Sequence, residues 1–566
     1  MSLRQGDFDG DGRAEIPVTS PWGMGVLKLT DSTLTSPVMA ANGTRFDGWL
    51  LNTDDNRFDL MGDFDGDARQ EILVTSPWGI GILRQSGGTF RAVMMAPNGT
   101  RFGGWLLNTV DNRFGPIVDI DGDGHDEIFV SSPWGIGIFK LVGTSITVLM
   151  MAPNGTRFGG WLLNTADNRF APVGDTDGDR REELLVSSPW GMALLEFNGA
   201  TLQPVMMAPN GTRFGGWLLN TADNHFHAMA DYDGDGRDEI LVTSPWGLGI
   251  LELAGSTLTS RVMAANGTRI GGWLLNTLDN RFGPVADFDG DGRAEVLIVS
   301  PWGVGVMELN DRTLAVPMMA PNGTRFGGWL LNTADNRFDM VGDFDGDGRA
   351  EILVTSPWGL GIWNVAGSTM TVSTMAPNGT RFGGWVLNTA DNHFGAGMEL
   401  VRLHVKVLTT PTIAIEQMIT AMQQVYEAIG IRVQRVSTET LVLPDLNDVD
   451  VGACSLGTAT AEQAQLFANR NNASGNDVVV YFVRSTVPPY NGCAAHPANQ
   501  PGAVVARGAT VWTLAHEVGH VLGLRHVNDN KRLMTGNGTA NITNAPPDVA
   551  AQEVVDMRSS TLTHAV

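Results

Sequence analysis

The chain has 566 residues, more than one hydrophobic core accommodates, and this length predicts several domains or a repeat array. Its net charge is −24, from 37 Lys and Arg against 61 Asp and Glu, which argues against a nucleic-acid partner because phosphates require a basic surface. The sequence holds no apolar run of the roughly 18 residues that a membrane span needs.

A repeat of 56 residues fills the chain from its first loop to residue 392. The loop Asp7-Phe8-Asp9-Gly10-Asp11-Gly12 recurs without insertion, starting at Asp63, Asp119, Asp175, Asp231, Asp287 and Asp343. In the second unit, four short β-rich segments lie between Gly, Asn and Pro residues: Phe58–Gly62, Glu71–Thr75, Gly79–Leu83 and Phe90–Met95. Seven such units without capping repeats predict an all-β, seven-bladed β-propeller over residues 1–397.

The sequence at the two ends of the repeat region does not determine which residues close the ring. The chain begins just before the first strand of a blade, and His393-Phe394-Gly395 begins that strand again after the seventh unit. Residues from either end could therefore complete the last sheet.

Each unit has Asp at loop positions one, three and five and Glu at position nine. Four carboxylates in nine residues repel one another unless a cation lies between them, and hard oxygen ligands in a glycine-containing loop suit Ca²⁺. We expect up to seven structural calcium ions, held by these sets: Asp7, Asp9, Asp11 and Glu15; Asp63, Asp65, Asp67 and Glu71; Asp119, Asp121, Asp123 and Glu127; Asp175, Asp177, Asp179 and Glu183; Asp231, Asp233, Asp235 and Glu239; Asp287, Asp289, Asp291 and Glu295; Asp343, Asp345, Asp347 and Glu351.

Two loops depart from the pattern at position six, where Ala68 and Arg180 replace glycine. Because the turn there favours positive φ, we expect weaker or empty sites in units two and four. The loops as a group resemble the FG-GAP repeats of integrins, a resemblance that implies calcium bound between two strands.

Three further blocks recur along the units: Ser-Pro-Trp-Gly, Asn-Gly-Thr-Arg, and Gly-Trp-Leu-Leu-Asn-Thr with Asp-Asn-Arg-Phe; in the third block Val386 replaces one Leu, and His225 and His393 replace the Arg. Packing explains the Trp and Leu residues, but the repeated polar residues are typical of sugar sites, where planar polar groups meet hydroxyls beside an aromatic face. Recent duplication, which copies neutral residues too, is the alternative. The region resembles lectins of the Psathyrella velutina type, which implies multivalent binding of N-acetylglucosamine-like or sialylated glycans.

The last third of the chain predicts a separate mixed α/β domain over residues 398–566. Its expected elements are a strand Met398–Leu408, a helix Ala414–Ile429, a buried strand Val478–Val483, an edge strand Ala503–Arg507, a helix from near Thr510 and a final helix Asp548–Met557. The two cysteines, Cys454 and Cys493, suggest one disulfide, with two buried free thiols as the alternative.

The most specific motif runs from His516 to His526. His516 and His520 are one helical turn apart and can reach the same ion, and Gly523 permits the left-handed turn that brings His526 round as a third ligand. Three neutral nitrogens with one open position indicate a catalytic zinc site. Glu517 is then the candidate general base for a water molecule.

This motif, followed by Met534, resembles the metzincin zinc peptidases and, in its helix, the matrixins. The resemblance implies a zinc endopeptidase in which Met534 forms a methionine turn beneath the metal. Two features of related families are missing from the sequence: a tyrosine after Met534, and a Pro-Arg-Cys-Gly activation segment.

The leading hypothesis is a secreted zinc endopeptidase that the propeller directs to glycans near peptide or glycoprotein substrates. The alternative is primarily a lectin or adhesin with an ancillary or inactive peptidase domain. A third hypothesis is a propeller that binds protein. The first residues hold no signal peptide, so secretion implies a removed leader or another export route.

Overall fold

The computed structural model describes residues 6–566 except 54, 110, 166–167, 222–223, 245, 278–279, 301, 334, 390, 396–398, 428–430, 472, 474–476, 544–546, 548, 550–552, 554–556, 558–559, 561 and 566. The chain divides into two compact units, Met1–Ala396 and Gly397–Val566. None of the described helices combines the length and hydropathy that crossing a membrane requires.

The first unit is a seven-bladed β-propeller of antiparallel four-stranded sheets. Blades two to seven begin with the strands Arg57–Gly62, Arg113–Val118, Arg169–Gly174, His225–Ala230, Arg281–Ala286 and Arg337–Gly342. The second strands of all seven are Ile16–Ser20, Glu71–Ser76, Glu127–Ser132, Glu183–Ser188, Glu239–Ser244, Glu295–Ser300 and Glu351–Ser356. The predicted four strands per unit are confirmed.

The outer half of each blade is a long hairpin. The third strands are Gly23–Thr30, Gly79–Ser86, Gly135–Val142, Gly191–Phe197, Gly247–Ala254, Gly303–Asn310 and Gly359–Ala366. The fourth strands are Thr33–Ala41, Thr89–Pro97, Ser145–Pro153, Leu202–Pro209, Thr257–Ala265, Thr313–Pro321 and Thr369–Pro377. In the second blade both strands extend beyond the predicted bounds.

Blade one takes its remaining strand from the other end of the repeat region. His393–Phe394 pairs antiparallel with Ile16–Ser20, placing Val18 opposite Phe394 and Thr19 opposite His393. The backbone N–H of Gly395 also donates to the carbonyl of Pro17 at 2.9 Å. Residues after the seventh unit therefore complete the first blade.

The acidic loops link each blade to the next. The carbonyl of each loop's first aspartate accepts a backbone N–H from the following loop, as in Gln70 to Asp7 at 2.8 Å, and the series closes with Ala14 to Asp343 at 2.7 Å. Such a closed series leaves no blade as a free end, which explains why the sequence has no capping repeat.

A short hairpin between blades, absent from the predicted elements, carries a tryptophan onto the next sheet; this tryptophan is buried in every blade except at Trp329, which is half-buried. The strand pairs are Arg45–Phe46 with Trp49–Leu50, Arg101–Phe102 with Trp105–Leu106, Arg157–Phe158 with Trp161–Leu162, Arg213–Phe214 with Trp217–Leu218, Arg269–Ile270 with Trp273–Leu274, Arg325–Phe326 with Trp329–Leu330, and Arg381–Phe382 with Trp385–Val386. A Cβ on Gly81 would lie 2.8 Å from the Trp49 ring, and one on Gly25 would lie 3.1 Å from Trp385. Glycine in the third strand therefore makes room for the indole.

The second unit is an α/β domain around one mixed sheet. The strand order is Ile431–Thr440, Glu399–Val407, Val478–Val483, Gly502–Ala506 and Gly492–Cys493; the first four strands are parallel and the last is antiparallel. Thr563–Ala565 pairs antiparallel with Glu399–Val407, and Asp448–Asp450 forms a separate parallel pair with Ser485–Val487. The prediction of an edge strand at Ala503–Arg507 is wrong, because Gly492–Cys493 covers its outer side.

Among the residues that the structure describes, three α-helices of this unit have defined bounds: α1 (Ile415–Glu427), α2 (Ala461–Phe467) and α3 (Thr513–Val521). Two short 3-10 turns, Pro444–Leu446 and Thr539–Asn541, lie in its loops. Met418, Met422 and Tyr426 of α1 and Leu514 and Val518 of α3 share one buried core. Most of the predicted final helix, Asp548–Met557, lies outside the described residues.

Candidate active site

Helix α3 carries the first two histidines and is held by contacts at its start and in its middle. At its start, Thr513 Oγ1 lies 3.0 Å from Thr510 Oγ1 and 2.9 Å from Thr539 Oγ1. In its middle, the Tyr426 hydroxyl of α1 donates to the carbonyl of Ala515 at 2.7 Å. The helix ends at Val521, and Gly523 takes a φ of 110°, so the predicted turn towards His526 is present.

The three histidine rings converge on one point. His526 Nε2 lies 3.2 Å from His516 Nε2 and 3.0 Å from His520 Nε2. His516 Nδ1 lies 2.7 Å from the Leu533 carbonyl oxygen, and His520 Nδ1 lies 2.8 Å from that of Leu524. A carbonyl only accepts, so both Nδ1 atoms carry the proton and both Nε2 lone pairs are free for a metal.

The protonation of these rings also suits metal binding. Burial lowers the pKa of His516 to about 4, and burial likewise lowers the pKa of His520 and of His526. The three imidazoles are therefore neutral at neutral pH, the form in which histidine binds a metal. A set of three neutral ring nitrogens fits Zn²⁺.

Glu517 is enclosed beside this cluster. Its side chain is buried, and burial raises the pKa of its carboxyl to about 8. The edge strand passes so close that a Cβ on Gly492 would lie 2.5 Å from Glu517 Cγ and 2.6 Å from Oε1. Gly492 is a site residue that sequence reasoning missed, since one glycine in a short polar segment gives no periodic signal.

Met534 packs beneath the helix, as expected for a methionine turn. It is fully buried, and a Cβ on Gly519 would lie 2.7 Å from its sulfur atom. The backbone N–H of Val527 donates to the Met534 carbonyl at 2.8 Å, which fixes the segment after His526 against this turn. Gly519 in the middle of the motif is thus explained by the methionine below it.

The edge strand is tied to the rest of the unit by the cysteines. Cys454 and Cys493 form a disulfide with Cα atoms 5.7 Å apart. Next to it, Gln463 of α2 donates to the Ala495 carbonyl at 2.8 Å. These contacts fix the strand that borders Glu517.

In the propeller, the acidic side chains of the loops converge as expected. In blades one, six and seven, one ligand atom from each of the four acids lies within 4.8 Å of the others. Ala68 and Arg180 adopt φ of 67° and 73°, and their N–H groups still donate to the first aspartate, at 2.8 and 2.9 Å. The turn therefore forms in units two and four despite the missing glycine.

Several of the repeated polar residues that the sequence suggested for a sugar-binding face make hydrogen bonds within the blade. In the second repeat, Asn98 Nδ2 donates to Pro77 O and Thr109 Oγ1, both at 2.9 Å, and Thr109 Oγ1 donates to Ser76 O at 2.7 Å. Asn112 Oδ1 accepts from the Trp105 indole N–H at 3.0 Å. These side chains close turns within the blade.

The exposed repeated residues are different ones. The tryptophans of the Ser-Pro-Trp-Gly turns are 71% to 76% exposed: Trp22, Trp78, Trp134, Trp190, Trp246, Trp302 and Trp358. Packing within the blade therefore does not explain these tryptophans, contrary to the sequence-based interpretation. The arginines of the Asn-Gly-Thr-Arg blocks are also exposed.

Comparison with known families agrees with this division of the chain. Residues 63–130, 231–298 and 287–354 match the model of the FG-GAP-like repeat. Residues 412–527 match the model of the reprolysin-like metallopeptidase family M12B. A search of curated proteins finds no match. The chain thus joins FG-GAP repeats in a seven-bladed propeller to a reprolysin-like metallopeptidase domain.

The similarity of this chain to solved structures is weaker than its match to the family models. An Agrocybe aegerita lectin, described in its specific recognition of non-reducing terminal N-acetylglucosamine, is 20% identical over 65% of this chain and 90% of that chain, with a TM-score of 0.44. Archaemetzincin from Methanopyrus kandleri is 17% identical over 28% of this chain and 94% of that chain (TM-score 0.21), and metalloproteinase-II from Bacteroides fragilis is 12% identical over 54% and 89% (TM-score 0.22). These scores are too low to carry functional inference.

Proposed function

We propose that the C-terminal unit is a zinc-dependent endopeptidase of the metzincin type. The observation that carries the proposal is the convergence of three neutral histidine Nε2 atoms beside one buried carboxyl, in the region that matches a metallopeptidase family. His516, His520 and His526 would hold the ion, and Met534 would support the helix below it.

A Zn²⁺ ion held by His516, His520 and His526 would act as a Lewis acid towards the scissile carbonyl and would favour ionisation of water. A cation held by the neighbouring histidines would favour the ionised form of Glu517 over the protonated form that burial alone favours. As a carboxylate, Glu517 accepts the proton of the attacking water and delivers it to the leaving amine. The Leu533 and Leu524 carbonyls hold the histidine rings in the tautomer that leaves Nε2 unprotonated.

The substrate is proposed to bind along the edge strand Gly492–Cys493. Among the described residues, this strand pairs on one side only, with Val504 and Val505. An extended peptide could add to its free side by main-chain hydrogen bonds, which would place a peptide carbonyl beside Glu517. Gly492–Cys493 lies outside Ala503–Arg507, the strand that the sequence predicts at the edge.

The experiment is casein hydrolysis by the full chain and by Glu517→Gln. We expect a loss on the order of 10²- to 10⁴-fold in kcat, the usual contribution of a general base, with unchanged zinc content. Glu416→Gln, at an exposed glutamate of α1, is the control and should retain full activity. Unchanged hydrolysis by Glu517→Gln would disprove the mechanism.

For the propeller, we propose calcium binding in the acidic loops and multivalent carbohydrate binding through the exposed tryptophans. Exposed indoles suit the apolar faces of sugar rings, and seven weak sites on one ring would act together. A glycan array with the full chain tests this: no bound glycan at saturating calcium would exclude it. The disulfide supports secretion, since disulfides persist in oxidising compartments.

A further inference from the structure

One position facing the acidic loops changes its charge from blade to blade. It is the sixth residue of the third strand, and it is occupied by Lys28, Arg84, Lys140, Glu196, Glu252, Glu308 and Asn364 in blades one to seven. The four loop acids are present in all seven blades, so this position varies against a constant carboxylate set.

In blades one to three, the side chain at this position is a cation seated among the carboxylates. Lys28 Nζ lies 2.6 Å from Asp9, 2.7 Å from Asp11 and 2.7 Å from Glu15. Lys140 Nζ lies 2.8, 2.7 and 2.7 Å from Asp121, Asp123 and Glu127. An ammonium this close to three carboxylates leaves no space for a metal ion between them.

Arg84 places its guanidinium among the loop carboxylates of blade two. Its Nε donates to Glu71 Oε1 at 2.8 Å, and its guanidinium also pairs with Asp65. The buried glutamate at loop position nine thus turns Oε1 towards the built-in cation in each of these three blades.

Blades four and six have a fifth carboxylate where the first three blades have a cation. In blade four, Glu183 is fully buried and its Oε1, the atom that meets the cation in blades one to three, has no hydrogen-bond partner. Among the described residues, no Lys or Arg pairs with Glu183, Glu196 or Glu308. Arg181 and Arg293 form ion pairs with the exposed third aspartate of their own loops, Asp179 and Asp291, and both pairs are 3.9 Å long.

In blades five and seven, the same position is occupied by Glu252 and Asn364. In blade seven, Asn364 donates to Glu351 Oε1 at 3.1 Å, and its own Oδ1 is buried without a partner. An amide oxygen in that position is a further hard ligand of the kind that Ca²⁺ prefers. In blade five, Arg261 bridges Asp233 at 2.5 Å and Glu252 at 2.8 Å, so an arginine from the fourth strand brings a positive charge to that loop.

We propose that only blades four, six and seven bind a divalent cation of the calcium type, and that Lys28, Arg84, Lys140 and Arg261 take the place of the ion in the other four blades. The assignment rests on the proposed calcium function and restricts it. Blades with a built-in cation are stable without metal, whereas the other three depend on it to offset the repulsion among their carboxylates.

The test is the number of Ca²⁺ ions bound per zinc-loaded full chain, measured by equilibrium dialysis. The assignment predicts about three. Seven bound ions would overturn the assignment and leave calcium binding intact, whereas a chain that binds none would contradict the calcium proposal itself. This count needs no variant, so it does not depend on whether a substitution folds.

Two reciprocal substitutions test whether the sixth residue of the third strand determines ion binding by a blade. Lys28→Glu gives blade one the charge pattern of blades four and six and should add one ion per chain. Glu308→Lys gives blade six the pattern of blade one and should remove one ion. Lys531→Glu, the same charge change outside the propeller, is the control and should leave the count unchanged. An unchanged count in both loop variants would contradict the assignment.

Discussion

The propeller is built from a repeated unit, whereas the peptidase site is assembled once from residues that do not recur. In the propeller, residues that recur seven times mostly serve the fold: Asn98 and Thr109 close turns, and Gly81 makes room for Trp49. In the peptidase unit, the site is assembled once, from α3, the segment around Met534 and an edge strand. In a duplicated chain, therefore, repetition alone does not indicate a ligand site; exposure and differences between copies are more informative.

The comparison is tested most strongly by two tryptophans of the repeat unit. Trp273 is buried and its indole N–H donates to Asn280 at 3.0 Å, whereas Trp302 is 75% exposed. Trp273→Ala should lower the free energy of unfolding by about 3–5 kcal/mol, the usual cost of removing a buried aromatic ring. Trp302→Ala should change it by less than about 0.5 kcal/mol. Chemical unfolding followed by circular dichroism measures both; equal losses would show that the exposed tryptophan is also structural.

A substitution at Gly492 tests whether the edge strand positions Glu517 in the peptidase site. In Gly492→Ala, the new methyl group would meet Glu517 at 2.5 Å, so the general base must move. We expect kcat to fall on the order of 10- to 100-fold, since small displacements of a reacting group are costly, while zinc content stays the same. The matched control is Gly508→Ala, where a Cβ meets nothing within 4 Å. Full activity in Gly492→Ala would show that this close approach has no catalytic consequence.

The smallest effect concerns the repeated asparagine. Asn98→Ala removes three hydrogen bonds, two that the amide donates to Pro77 O and Thr109 Oγ1 and one that it accepts from the Thr109 N–H. The variant should therefore lose about 1–2 kcal/mol of unfolding free energy. Its glycan-array profile should match that of the unsubstituted chain. A lost glycan signal with unchanged stability would reverse the assignment of this residue to the fold.

Much of the architecture can be predicted because the sequence repeats at regular intervals. The uninterrupted repeat and the short β-rich segments gave the seven blades, and the spacing of His516, His520 and His526 gave the proposed metal ligands. Both signals depend on local geometry, which the order of residues determines.

Other features depend on contacts between distant segments and had no such signal. The inter-blade hairpins have strands of two residues, too short for a visible alternation. The edge strand Gly492–Cys493 is equally short, so Ala503–Arg507 was wrongly expected at the edge. Likewise, Asn and Thr that close a turn cannot be distinguished from ligand-binding residues until their hydrogen bonds are known.

The central claim, a catalytic zinc held by three histidines, is tested most directly by removing and restoring the metal. The full chain is stripped with a chelator, zinc is added back in steps, and bound zinc and casein hydrolysis are measured together. We predict no hydrolysis by the stripped chain and a return of activity in proportion to zinc up to one ion per chain. Hydrolysis that persists in the zinc-free chain would contradict the account.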